Sequence, residues 1–350
     1  MATTSPVPAE PSAADNEQAR ALAAASPWID VHAHPGRCFL GGLPAEDPLL
    51  VLLGGDASAD AVTQIAASGA SAVVFSTVAD LLVLTARAAG LTAGRQFHPG
   101  EAEADHARQL SALQALAARP DVRLVRCGAD LAAAHGDGLV GVILACEGAD
   151  FLDGGLGGLA EAHAAGVRSV TLVHYRVNDV GDIQTEPAVH GGLTAFGTEV
   201  VAEMNRLGLL IDVAHATEAV TRDVVERSTD PVVISHSHLA LGTDPHPRLL
   251  SDGHARAVAS TGGLIGAWPA GVAVTDLAGY VAEILRLVEV VGIDHVGIGT
   301  DMDANYRPVV TSYGQFCDIG AHLLARGLSP DDVTAIMGAN YARVFTAVCG

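Results

Sequence analysis

The residues able to do chemistry in this chain recur at one kind of place, the end of a short apolar run. Asp30-Val31-His32-Ala33-His34 closes the first run and Cys146-Glu147-Gly148 a later one. His174, His215, Ser235-His236-Ser237 and Asp301 close four more. His32 and His34 are two apart, so on a strand both imidazoles point to the same side and reach one cation. Glu147 follows seven uncharged residues, 140–146, and a carboxylate buried there needs a partner, either a metal or an arginine. Taken singly these are weak signals, because a lone strand-end histidine also serves as a hydrogen-bonded structural residue. Together, His32, His34, Glu147, His215, His236 and Asp301 make a donor set. Imidazole nitrogen plus carboxylate oxygen suits zinc and similar divalent ions. The donors suffice for two ions, with Glu147 able to bridge through its two oxygens. Two ions hold a hydroxide between them at neutral pH and polarise a carbonyl. Asp301 then fits a general base that takes a proton from that water and hands it to a leaving nitrogen. His174 fits the stabilisation of charge developing on the carbonyl oxygen.

The elements that must position these groups are short and regular. Apolar runs at 28–32, 72–77, 140–146, 169–174, 209–214, 231–235, 263–268 and 295–300 give eight candidate strands, continuous in apolar character as parallel strands covered on both faces are. Helical patterns lie between them. Phe196, Val200, Val201, Met204 and Leu207 share one face, with Gly208 as C-terminal cap. Tyr280, Val281, Ile284, Leu285, Val288 and Val291 repeat the pattern up to Gly292, and Ser329-Pro330-Asp331-Asp332 is a helix start. This alternation predicts an α/β fold, a (β/α)8 TIM barrel, whose active site forms at the C-terminal ends of the strands. Residues 122–137 are expected as an extra strand and turn. Residues 1–25, rich in Ala, Ser, Pro and Glu, are expected as a disordered tail with no signal-peptide pattern, leaving 26–350 as a single domain.

Composition excludes several classes. Among 350 residues, 49% are hydrophobic and 17% charged, which leaves ample material for a core. Acidic side chains outnumber basic ones 40 to 19, a formal charge of −21, so nucleic acid and anionic membranes are poor partners. All 19 basic residues are arginine. The absence of lysine excludes Schiff-base chemistry, pyridoxal phosphate enzymes, Walker-type phosphate loops and any metal pair bridged by a carboxylated lysine. The five cysteines form no C-x-x-C and read as free thiols in a reducing cytosol. The uncharged stretch 257–275 is broken by glycines and reads as a buried strand plus loop rather than a membrane span. Cys146 reads as core packing, His238 as a loop histidine, and Tyr175, Arg176, Asn178 and Asp179 as either pocket lining or surface polarity.

From Trp28 to Phe345 the chain resembles the renal (membrane) dipeptidase family, peptidase family M19, of the amidohydrolase superfamily. The likeness rests on ACEG at Glu147, LVHYRVND around His174, GLLIDVAH ending at His215 and PVVISHSH around His236. It continues with HPRLLSD around Arg248, GIDHVGIGTDMD carrying Asp301 and Asp303, and GANYARVF near the C-terminus. The resemblance implies a (β/α)8 barrel with two zinc ions bridged by a glutamate, hydrolysis of dipeptides (often with a D-residue at the C-terminal position), and pairing as a homodimer. It assigns His32 and His34 to the first metal, Glu147 to the bridge, and His215 and His236 to the second metal. His174 becomes the substrate-polarising histidine, Arg248 the clamp for the substrate carboxylate and Asp301 the catalytic acid/base. The bidentate fork of arginine suits that role, and a salt bridge from Arg248 to Asp252 is its alternative. Three positions depart from the family pattern: His34 stands in place of an aspartate, Leu249 of an asparagine, and Ala304 of a glycine. They leave open a second reading, an amidohydrolase acting on another amide or a lactone. A metal-binding barrel without turnover is a third.

Overall fold

The structure, a computed structural model, describes residues 10–87, 90–242, 246–272, 274–305 and 307–350. Helix α1 (Ala13–Ala25) leads into strand β1 (Ile29–Ala33), followed by α2 (Pro48–Leu53), α3 (Ser58–Ser68) and β2 (Ala72–Val78). A hairpin of β3 (Leu84–Arg87) and β4 (Gly90–Ala93) precedes α4 (Glu101–Ala117), β5 (Val122–Leu124), α5 (Gly128–Gly136) and β6 (Val140–Glu147). Strand–helix alternation then continues through α6 (Gly157–Ala164), β7 (Val167–Thr171), α7 (Ala195–Leu207), β8 (Leu210–Asp212), α8 (Glu218–Arg227), β9 (Val233–Ser237), α9 (Asp252–Ala259), β10 (Leu264–Ala267), α10 (Leu277–Val291) and β11 (Val296–Ile298). Three C-terminal helices follow, α11 (Phe316–Ala325), α12 (Pro330–Thr334) and α13 (Asn340–Cys349).

Eight strands, β1, β2 and β6 to β11, pair in parallel, and the β2–β6 pairing closes the ring into a (β/α)8 barrel. Each overlaps one of the eight apolar runs. The closure brings Val78 opposite Glu147 and Glu147 opposite Thr171, so the last residue of β6 is fixed from both neighbours. Strand β5 pairs with β6 at Val122↔Val140, ahead of the point where β7 takes that edge at Leu144. The extra strand expected within 122–137 is thus present, but α5 follows it where a turn was expected.

The capping signals act as read. Thr194 caps α7 by accepting from the Gly197 N–H, and Gly208 ends it in left-handed backbone at φ 69°. Ser329 and Asp332 form a capping box on α12. The expectation of a disordered tail over 1–25 fails for Ala13–Ala25, because Ser12 and Asp15 form a capping box and α1 buries Ala19 and Ala23. Small side chains let the helix seat closely, which an apolar-stripe reading does not register. Residues 1–9 lie outside the described residues.

One core side chain gives the fold an acid sensitivity. His106 on α4 stacks on Phe151, ring centroids 4.0 Å apart, and burial pushes its imidazole down to about 4. The fold therefore keeps the neutral ring. That contribution is intact above the ordinary histidine value near 6.5 and is lost as pH falls from there toward 4, about 2 kcal/mol by pH 5. In denaturant titrations at pH 7.5 and 5, His106→Leu should narrow the drop in stability seen for the parent by roughly that amount. An equal drop in both proteins would count against the assignment.

Candidate active site

Every side chain singled out as an end-of-strand donor reaches the same end of the barrel. His32 lies in β1 with His34 just beyond it, and Glu147 is the last residue of β6. His174 follows β7, His215 follows β8, His236 lies in β9 and Asp301 follows β11. Glu147, 2% exposed, is the hub. Its Oε1 lies 3.0 Å from Nε2 of His215, 3.4 Å from that of His32 and 3.5 Å from that of His236. Its Oε2 lies 3.1 Å from Nε2 of His34 and 3.4 Å from that of His174. Nε2 atoms of His215 and His236 are 3.0 Å apart, and Asp301 Oδ1 is 3.8 Å from His34 Nε2.

Buried carboxylates beneath this layer hold it. Asp30 accepts from Thr300 N–H at 3.0 Å, Thr300 Oγ1–H at 2.5 Å and Tyr313 O–H at 2.9 Å, tying β1 to the segment that ends in Asp301. Asp212 accepts from Thr171 Oγ1 at 2.6 Å and from Ser235 N–H at 2.9 Å, joining the ends of β7, β8 and β9. His34 Nδ1 is committed to the Ser76 carbonyl at 2.9 Å, which turns its Nε2 to the site. His215 (φ 65°) and Asp301 (φ 55°) both sit in left-handed backbone, at a cost of about 1–3 kcal/mol each. They are held there by Gln184 N–H on the His215 carbonyl at 2.8 Å and by Asp301 N–H on the His32 carbonyl at 2.9 Å.

Electrostatics follow from the burial. Burial holds the imidazoles of His215 and His236 well below the ordinary range, helped by Arg248 beside both, so they are neutral and offer lone pairs. Burial also works against the Glu147 carboxylate, but the charge of His174 and the imidazoles of His32 and His215 beside it hold it well below the usual carboxylate range. Burial first, then the charge of Glu147, pushes Asp301 up to about 6.

The donor set fits divalent cations. His32, His34 and Glu147 present ligand atoms within 4.8 Å of one another, as do Glu147, His215 and His236, and as do His32, His236 and Asp301. His32 Nε2 and Glu147 Oε1 are buried without a hydrogen-bond partner, an arrangement that a cation resolves and that a structural role does not.

Arg248, 1% exposed, does not pair with Asp252, which lies 3.6 Å from Arg256 instead. Its Nη1 donates to Gln184 Oε1 at 2.7 Å, its guanidinium stacks over Trp268 at 5.4 Å, and its buried Nε–H has no partner. His238, expected on a loop, does lie past the last residue of β9, buried near Trp268. Cys146 packs in the core as expected. Tyr175 does line the site, its ring edge-on to His174 and His215, while Arg176 and Asn178 turn to Asp150. Sequence reasoning missed Asp80, whose Oδ1 accepts from His174 Nδ1 at 2.6 Å. The signal was there: the second apolar run also ends in an acid, three residues past its limit at 77.

A closed parallel barrel with a carboxylate ringed by imidazoles at its strand C-termini is a barrel of the metal-dependent amidohydrolase type. The chain belongs to the membrane dipeptidase family, peptidase family M19, whose sequence model matches residues 17–349. It is 32% identical to the dipeptidase aclJ of Aspergillus oryzae over 223 residues, 60% of this chain and 52% of that protein, so it spans about half the length of that curated relative. An amidohydrolase from Pseudomonas aeruginosa has the same fold at 24% identity, TM-score 0.76, covering 95% of this chain and 99% of that one. So does a metallo peptidase from Rhodobacter sphaeroides liganded with a phosphinate mimic of the dipeptide L-Ala-D-Ala, at 21% identity and TM-score 0.76, covering 92% and 99%. No helix among the described residues is long and apolar enough to cross a membrane.

Proposed function

We propose that this chain is a metal-dependent dipeptidase that adds water across the peptide bond of a dipeptide, with zinc at two adjacent sites. The observation that carries the reading is Glu147, one buried carboxylate with five imidazole Nε2 atoms 3.0–3.5 Å from its oxygens. His32 and His34 would hold one ion, His215 and His236 the other, and Glu147 both. Divalent cations there supply Lewis acidity and an acidified water. The protein's own groups do the rest. Asp301 takes the proton of the attacking water and delivers it to the amine as the C–N bond breaks. His174 Nε2 faces the carbonyl oxygen. Arg248, with its unpaired Nε–H, receives the free carboxylate of the substrate.

The test is metal analysis together with a dipeptide panel that includes L-Xaa-D-Xaa members, a choice motivated by the ligand of the Rhodobacter protein. Close to two zinc ions per chain, hydrolysis of dipeptides, loss of both on chelation and recovery on zinc addition are expected. Full metal loading with no cleavage of any member rejects the substrate class. Arg248→Ala should raise KM about 10–100-fold for dipeptides with a free C-terminal carboxylate and leave C-terminal amides unaffected, the size of one lost charge-assisted hydrogen bond. Equal losses on both, or none, would point to the other reading, an amide or lactone without a carboxylate to clamp.

A further inference from the structure

We propose that Asp80 is a positioning residue that holds the hydrogen at Nδ1 and the direction of His174; the inference rests on the dipeptidase reading for its kinetic consequence and on geometry for the rest. Asp80 is fully buried just past β2. Its two oxygens are spent on two consecutive residues: Oδ1 accepts from His174 Nδ1 at 2.6 Å, Oδ2 from the Tyr175 backbone N–H at 3.0 Å. A carboxylate has no proton to give here, so Nδ1 carries a hydrogen, and Nε2, 3.4 Å from Glu147 Oε2, is the ring atom that faces the site and donates its own hydrogen there.

The support behind Asp80 is unusually stiff. Ala79 N–H donates to the carbonyl of Glu147 itself at 2.8 Å. Gln109, buried on α4, brackets Val78 through both its N–H and its carbonyl at 2.8 Å, and Asp105 holds the Gln109 amide at 2.8 Å. Asp80 and Glu147 are therefore built on one register, and the aim of His174 relative to Glu147 is set by Asp80. Without that partner the ring is free to rotate, and nothing keeps a hydrogen on Nδ1.

Asp80→Asn tests this because one amide cannot replace two acceptors. Its single oxygen serves either Tyr175 N–H or His174 Nδ1, and its NH2 group faces the other. With the oxygen on Tyr175, the NH2 group requires a lone pair at Nδ1, so the ring either turns away or gives up its Nδ1 hydrogen and with it the positive charge that serves the carbonyl oxygen. The expected kinetic result is a fall in kcat of about 10²–10⁴-fold, up to the scale seen when a catalytic histidine loses its orienting carboxylate, with KM within a few-fold and metal content unchanged. Asp80→Glu, which restores both acceptors, should recover at least tenfold. In parallel, nitrogen NMR of histidine-labelled protein, with His174→Gln to assign the signal, should show the Nδ1–H form in the parent and its loss in Asp80→Asn. Parental kcat in Asp80→Asn, or an unchanged Nδ1–H signal, overturns the proposal. So does a loss of activity matched by an equal loss of metal or of thermal midpoint in both variants, because that is a purely structural role. If the parent cleaves no dipeptide, the functional reading fails while the NMR measurement still decides the role of Asp80.

Discussion

Glu147→Gln is expected to abolish turnover and metal binding together. The replacement keeps the volume and nearly the shape of the side chain, so packing around β6 is preserved. What changes is the donor chemistry at the centre of five imidazoles. One carboxylate oxygen becomes an NH2 group, which carries no lone pair for a cation, and the pocket loses its central negative charge. His215 and His236 stand neutral, so nothing on their side of the pocket compensates. Both ligand groups that contain Glu147 are damaged by the same change, whereas a histidine replacement would damage one. The expected fall in kcat/KM is at least about 10³-fold, near 4 kcal/mol at 1.36 kcal/mol per decade. Bound zinc should drop below one per chain, with the far-ultraviolet circular dichroism unaltered. A Glu147→Gln protein that keeps two ions per chain and a tenth of the parental activity would remove the bridge from the mechanism.

Much of this arrangement was legible in the sequence because parallel barrel strands are apolar on both faces, so a polar residue at a run's end is conspicuous. His32, Glu147, His236 and Asp301 were found that way, and the barrel brings them together. The parts that were not legible depend on contacts between distant segments. Asp80 meets His174 across 94 residues, and Asp30 meets Thr300 across 270. Nothing local to Asp30 separates a carboxylate that pins a strand from one that binds a metal. His238 was read as a loop histidine rather than a ligand, and it does lie past the end of β9 and outside the donor groups; that it is buried, its ring 6.1 Å from Trp268, again depends on a distant segment. The N-terminal helix was missed because alanines pack through closeness rather than area, leaving no apolar stripe to see.

Asp301→Asn should separate proton transfer from metal binding, two roles that the geometry of Asp301 leaves side by side. Its ligand atom groups with His32 and His236, which is what a metal ligand would do. Its position argues for the other role. Oδ1 stands 3.8 Å from His34 Nε2, farther than any of the five contacts made by Glu147, and burial with the charge of Glu147 pushes its carboxyl up to about 6. A carboxyl in that range gives and takes a proton near neutrality, as a general base must. The left-handed backbone at Asp301, tethered by the His32 carbonyl and by the N–H groups of Ala304 and Asn305 on its own carbonyl, fixes the side chain in place whichever role it plays. Asparagine keeps that shape and cannot carry the proton. The expected outcome is a fall in kcat of about 10²–10⁴-fold, with zinc content and affinity for a phosphinate dipeptide analogue retained. Loss of zinc in proportion to activity would instead make Asp301 a ligand, and the proton would then have to travel through His174, the imidazole beside Glu147 that the metal assignment leaves free.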